Sequence, residues 1–178
     1  MAPLPISQRK GDYVHAMIFV IYGLIAVTMD SVNVIGPVGG ITRETAQLGG
    51  VWPPDFVVEA FFFWGQYDPL LQANPFWLKV MCTLSPLVYM PFYFFAVYAI
   101  LKGREWIRVP MMMFAWGMFY SVTVILVVAL YGEDHLRSPR PDLIFAAYGA
   151  YWLYPVYLMY RFASPTPFGS TKNKVKSK

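Results

Sequence analysis

Four stretches of this chain run for about 18 residues or more with almost no charge, and this constrains the fold more than any other feature of the sequence. They cover residues 13–35, 80–101, 109–132 and 143–160. Only His15 and Asp30 interrupt the first, and the other three hold no charged side chain. An apolar run of that length can cross the roughly 30 Å hydrocarbon core of a bilayer as a helix. Lipid offers no hydrogen-bond partner to a bare backbone, so a spanning segment must be a helix or part of a closed barrel. The runs are continuous and do not alternate with period two, which excludes the barrel. The expected fold is all-α: a four-helix transmembrane bundle with kinked spans and a lumenal interfacial segment between spans one and two.

Composition agrees. Charged residues make up 13% of the chain and apolar ones 57%, whereas a soluble domain carries about 25% charged. An ordinary soluble domain is therefore excluded. The net charge of +4 suggests no nucleic-acid stripe, because Lys and Arg flank the apolar runs and five of the 14 fall within 161–178. A single cysteine, Cys82, rules out an intrachain disulfide framework and a Cys-based zinc site. The two histidines, His15 and His135, fall at opposite membrane faces, so neither a metal nor any other cofactor is expected. No glycine-rich nucleotide loop and no nucleophile elbow is present. The first run is longer than a signal-peptide core and ends in Met29-Asp30, so it reads as a span and not as a cleaved leader.

Short connections rich in Lys and Arg face the cytoplasm. Arg9 and Lys10, then Lys102, Arg104 and Arg108, then Arg161 and the Lys-rich tail share one side, which puts both termini in the cytoplasm. The domain expected is one four-span unit over 1–165 followed by a basic tail over 166–178. That tail ends Lys174-Val175-Lys176-Ser177-Lys178, a Lys-x-Lys-x-x pattern of the kind that returns proteins to the endoplasmic reticulum. Read without a receptor, it is a basic segment favouring anionic lipid.

The connection 36–77 is long and punctuated by Gly-Pro, Gly-Gly and Pro-Pro pairs, yet dense in Phe and Trp between Asp55 and Tyr67. It predicts an interfacial helix starting at Pro54 or Asp55 and stopping at Asp68-Pro69.

Acids inside an apolar bundle are costly and mark function by default. Asp30 lies inside the first run, and Asp68 closes the aromatic segment. Two carboxyls sharing one proton would present a charged acceptor beside a donor, suited to an amine or hydroxyl in an apolar pocket. Glu59 reads as part of a wet face, His15 as interfacial and His135 as solvated. Pro86 and Pro91 interrupt span two and Pro155 span four; each removes a backbone bond, and bowed helices can enclose a cavity. Tyr148, Tyr151 and Tyr154 fall on one face of span four, and with Ser121 and Thr123 they bring hydroxyls to a greasy chamber.

Several strings fall in the order of one known family. They are Met29-Asp30, Asp68-Pro69-Leu70-Leu71-Gln72, Pro75-Phe76-Trp77-Leu78-Lys79, Pro91-Phe92, Ala96-Val97-Tyr98-Ala99, Leu101-Lys102-Gly103 and Trp106-Ile107-Arg108-Val109-Pro110. Glu133-Asp134, Arg140-Pro141, Tyr148-Gly149-Ala150-Tyr151 and Pro155 continue the series. In these the chain resembles the EXPERA family, four-span proteins that include amphiphile-binding receptors and sterol isomerases.

The resemblance implies an endoplasmic-reticulum protein with a lumen-side acidic pair in a lipid-accessible cavity. It gives Asp30 the role of pairing with a ligand amine, Asp68 that of supporting it, and Tyr148 and Tyr151 that of pocket lining. Met29 neighbours the first acid, and Ser121 stands where the family has a pocket threonine. Cholesterol or oxysterol binding, a part in sterol traffic and a homodimer follow from the same likeness. Two departures stand out. The family's second-span acid is replaced by Ser85, and the isomerases' first-span histidine four residues before the acid is replaced by Ala26. The expectation is therefore a non-enzymatic sterol- or lipid-binding membrane protein. The alternatives are an isomerase using Asp30 and Asp68 as acid and base, and a structural partner protein with no small-molecule site.

Overall fold

The computed structural model describes residues 3–169, and these fold into helices with no strand among them; one isolated bridge joins Leu48 and Trp52. The Lys-x-Lys-x-x ending lies outside the described residues. In chain order the helices are α1 (Gly11–Val27), α2 (Met29–Ile35), α3 (Asp55–Gly65), α4 (Pro69–Ala73), α5 (Phe76–Leu84), α6 (Met90–Lys102), α7 (Arg108–Tyr131) and α8 (Pro141–Ala163).

Three segments are long and apolar enough to cross a membrane: Gly11–Ile35, Phe76–Lys102 and Glu105–Tyr131. The fourth predicted span folds as α8, a helix of 23 residues, or about 34 Å at about 1.5 Å per residue. Its repeated tyrosines and terminal Asp142 and Arg161 make it the most polar of the long helices, and it is not among those three.

Two breaks shape the spans. The first span is not one helix. The Thr28 hydroxyl donates to the Leu24 carbonyl at 2.6 Å and the Ser31 hydroxyl to the Thr28 carbonyl at 2.6 Å. Hydroxyls that engage backbone carbonyls in this way bend helices, and Thr28 leaves helical geometry at φ −103°, ψ −77°. The second span starts at Phe76, earlier than the expected residue 80, and passes from α5 to α6 through a π-helical turn, Ser85–Tyr89. Pro86 sits in that turn, where its ring and missing N–H forbid regular α-hydrogen bonding. Pro91 falls in the first turn of α6, where a missing donor costs little. Pro155 is buried within α8, which stays helical through it.

The long helices pack antiparallel. Along α1 and α6, Arg9 meets the Ile100 carbonyl at 2.9 Å, Phe19 meets Tyr93, and Gly23 faces Met90. Along α7 and α8, the most extensive pairing in the molecule, Arg108 donates to the Phe162 carbonyl at 2.9 Å, Phe119 stacks on Trp152, and Ala129 clusters with Ile144. α1 also meets α8, through Tyr22 stacked on Tyr151 at 4.7 Å. The centre is an aromatic cluster of Phe19, Tyr22, Tyr93 and Phe114. Outward, Met17, Val20, Leu24, Phe94, Met113 and Trp116 are exposed, the pattern of helices surrounded by hydrocarbon.

The segment expected to form an interfacial helix folds as α3, which opens after Pro54 as expected and ends at Gly65, before the expected stop at Asp68-Pro69. Its buried face (Val57, Val58, Phe61) packs with Val32 of α2, while Phe56 and Phe63 point outward.

Candidate functional site

A cavity of about 280 Å³ opens inside the bundle, walled by residues beside the Thr28 break and in the π-helical turn on one side and by α3, α7 and α8 on the other. Most of the lining is apolar or aromatic, including Met29, Leu78, Met81, Met118, Val122 and Ile125. Asp30 is the one acid that lines it among the described residues.

Asp30 sits in the first turn of α2, where exposed N–H groups and the helix dipole favour a carboxylate. The carboxyl is half-buried, with the Ser85 side chain beside it. Ser85, itself buried, is the residue standing where the resembled family has an acid. Tyr89 and Ser121 also neighbour each other on the lining. The polar equipment is therefore the Asp30 carboxyl, the Ser85 and Ser121 hydroxyls and those of Tyr22, Tyr89, Tyr93, Tyr148 and Tyr151, in an otherwise greasy chamber.

Asp68 is placed differently. It is fully buried and is not part of the lining. Its Oδ2 accepts the Tyr148 hydroxyl at 2.6 Å, Trp64 Nε1 lies 3.4 Å from that same hydroxyl, and Asp68 Oδ1 has no hydrogen-bond partner among the described residues. Burial pushes the Asp68 carboxyl above the ordinary carboxylate range, opposed by the Tyr148 hydroxyl and the Leu70 backbone N–H. Tyr148 and Trp64 both line the cavity, so Asp68 meets it through Tyr148. The two aspartates make no hydrogen bond to each other among those described; the expected pair is two acids on either side of a tyrosine.

Surrounding polar contacts hold this arrangement. Asn74, left-handed at φ 42° after α4, donates to the carbonyls of Asn33 and Pro37 at 3.0 Å each, and Asn33 donates to the Leu71 carbonyl at 2.8 Å. Lys79 caps α2 by donating to the Gly36 carbonyl at 2.6 Å. Ser138 donates to the Tyr67 carbonyl at 2.5 Å, tying the α7–α8 connection to the residue before Asp68.

The remaining predicted residues divide. Met29, Ser121, Tyr148 and Tyr151 line the cavity. Tyr154 does not: its hydroxyl lies 2.9 Å from His15 Nδ1, and His15 stacks against Tyr154 and Tyr157 nearer the other end of the bundle. Thr123 turns away as well, donating to the Phe119 carbonyl at 2.7 Å and accepting Trp152 Nε1 at 2.9 Å. Glu59 is exposed and pairs with Arg43, and His135 is exposed. Sequence reading passed over Ser85, Tyr89, Cys82, Tyr22 and Tyr93 as lining residues. For Ser85 and Tyr89 a signal existed: they lie four apart across Pro86, so an interrupted helix brings both to one face. No group of three or more His, Cys, Asp or Glu side chains gathers among the described residues in a way that would hold a metal.

Residues 57–162 match the profile of the EXPERA family, the expanded EBP superfamily. Over 122 residues the chain is 29% identical to sigma intracellular receptor 2 of Macaca fascicularis and equally to that of Homo sapiens, covering 62% of this chain and 69% of each relative. The family match contains Asp68, Ser85, Tyr89, Ser121, Tyr148 and Tyr151; Asp30 lies before it.

Proposed function

This chain belongs to the EXPERA family, and from that premise we propose that it is a non-enzymatic membrane protein that binds sterols or other lipids and cationic amphiphiles. The single observation that carries this reading is one acid, Asp30, at the polar end of an otherwise apolar cavity between membrane-long helices. An ammonium taken out of water loses several kcal/mol of solvation and needs a carboxylate to offset it. A sterol hydroxyl needs only a donor and an acceptor, which Asp30 and Ser85 supply. Met29, Ser121 and Tyr151 then flank the ligand, and Asp68 acts by fixing the hydroxyl of Tyr148.

In this reading the protein serves sterol homeostasis or transport in the endoplasmic-reticulum membrane. α8 is the fourth span, both termini are cytoplasmic, α3 lies along the lumenal leaflet, and two copies associate. The four-span domain covers 1–165 and the basic tail 166–178.

The test is Asp30→Asn, with a radiolabelled cationic amphiphile bound to purified protein in detergent and folding followed by thermal melting. The expected result is a loss of about 2–5 kcal/mol of binding with melting preserved; unchanged affinity overturns the assignment. One observation keeps the isomerase reading in view: the bond from Tyr148 to Asp68 connects the cavity to a second acid. Incubating the protein with a ring-unsaturated sterol decides it, since a shifted double bond above a boiled control would make the protein an enzyme.

A further inference from the structure

A second cavity, of about 240 Å³, lies on the outer face of the bundle between Val20, Gly23 and Leu24 of α1 and Met90, Phe94 and Val97 of α6. Among the described residues nothing polar lines it except Tyr93, and Tyr93 also lines the inner cavity. The two spaces share that one side chain as a wall. They lie side by side and partly offset. Along α1, Tyr22 and Ile25 face the inner cavity while Val20, Gly23 and Leu24 face the groove. Along α6, Met90, Phe94 and Val97 face the groove, which reaches beyond Tyr93, the last residue of that helix on the inner cavity. From Ser85 to Val97 the helix rises about 18 Å at about 1.5 Å per residue. The rims at Val20, Leu24 and Phe94 are exposed on the side the bundle turns to hydrocarbon.

We propose that this groove is the hydrocarbon subsite of the inner cavity, and that it takes the distal end of a long amphiphile whose polar head sits at Asp30. The inference rests on the binding reading above and extends it to the shape of the ligand: a head group, a body crossing the aromatic cluster, and a tail lying against α1 and α6. The inner cavity alone, at about 280 Å³, is at or below the roughly 300–1,000 Å³ of sites that bury a small molecule. Opened into the groove, it falls within that range.

The wall is packed, not bonded. Tyr93 is held by ring contacts with Phe19, Tyr22, Tyr89, Phe92 and Phe114, and no described hydrogen bond pins its hydroxyl. Beneath it Met90 contributes a flexible thioether, facing Gly23, which has no side chain. Opening the wall therefore means repacking rings beside a flexible neighbour, with no side-chain hydrogen bond of Tyr93 among those described to break.

The experiment uses full-length protein in phosphatidylcholine nanodiscs and two probes carrying a terminal diazirine, hexadecylamine and hexadecanol. After irradiation, labelled peptides are mapped by mass spectrometry. The expected result is labelling concentrated at Val20, Leu24, Phe94 or Val97, competed by excess unlabelled probe. Groove-filling Gly23→Leu abolishes it while octylamine still binds. A Cβ at Gly23 comes closest to the Met90 sulfur, 3.1 Å away on a flexible chain and closer than ordinary contact, and meets Tyr93 Cδ2 at an ordinary 3.7 Å. Leu24→Trp at the exposed rim is a second blocking variant should the first fold poorly. Labelling spread over the outer surface and insensitive to competitor, or confined to Met118 and Ile125 of α7, overturns the subsite even if the amine binds Asp30. Labelling of the groove by the alcohol but not the amine keeps the subsite and overturns the amine reading.

Discussion

Two acids are buried at opposite ends of this bundle, and they are compensated in opposite ways. Asp12 is clasped by two guanidiniums, Arg9 three residues before it and Arg161 at 2.5 Å from α8, with all three side chains largely out of water. Arg9 also donates to the Ile100 carbonyl and lies over the Phe168 ring, so one cluster draws together α1, α6, α8 and the segment after α8. Asp68 meets no cation among the described residues. One oxygen takes a tyrosine hydroxyl and the other takes nothing. A buried carboxylate between guanidiniums is a fastening; one left half-satisfied behind a cavity wall costs stability, and proteins tolerate that where a site requires it.

The comparison breaks most visibly at the fastening. Asp12→Asn leaves two buried guanidiniums facing each other, and removing one partner of a buried ionic cluster costs about 3–5 kcal/mol. Thermal or denaturant unfolding in detergent should show that loss, with amphiphile affinity of the folded fraction unchanged, since Asp12 is not part of the cavity lining. A variant that melts with the parent would mean the cluster fastens nothing. At the other end the effect is smaller. Tyr148→Phe removes the hydroxyl that Asp68 accepts, a bond to a charged group worth about 1.5–3 kcal/mol. The same unfolding measurement should read a loss in that range.

The third prediction concerns pH. Burial raises the Asp68 carboxyl above its unfolded value, which is about 3.9. A group raised in this way contributes stability that is fully present below the unfolded pKa and is lost as pH rises through the folded one. The parent protein should therefore lose stability, as pH rises past the carboxylate range, that Asp68→Asn does not lose. Equal pH slopes for the two proteins would show that the Asp68 carboxyl is not paying for its burial.

The contrast also marks what could be read from the sequence. Long uncharged runs declare membrane-length helices because length and hydropathy are local. Proline punctuation is equally local, and Pro53-Pro54 ahead of Asp55 opens α3 where expected. Asp30 stood out because an acid in hydrocarbon has no cheap explanation. Its partner Ser85 did not, since pairing across two spans depends on a π-helical turn whose register Pro86 hints at but does not specify. The kink at Thr28 turns on which carbonyl a hydroxyl chooses. Asp12 lay at the edge of a run, and Arg161, far along the chain, gave no sign of meeting it. Tyr154 shares the helical spacing of Tyr148 and Tyr151, yet His15 claims it. What failed to show in the sequence was in each case a choice of partner that spacing and hydropathy do not encode.

The smallest expected effect sharpens the point, because it repeats the chemistry of the fastening without the burial. Glu59 on α3 pairs with Arg43, which also lies over the Phe62 ring, but the side chains are 64% and 57% exposed. Water screens such a pair, and holding two long side chains together costs entropy, so exposed pairs contribute about 0.2–1 kcal/mol and often less. Glu59→Gln should shift unfolding by no more than about 0.5 kcal/mol, and that shift should shrink in high salt. If it instead approached the cost of Asp12→Asn, the difference between the two acids would not lie in their removal from water.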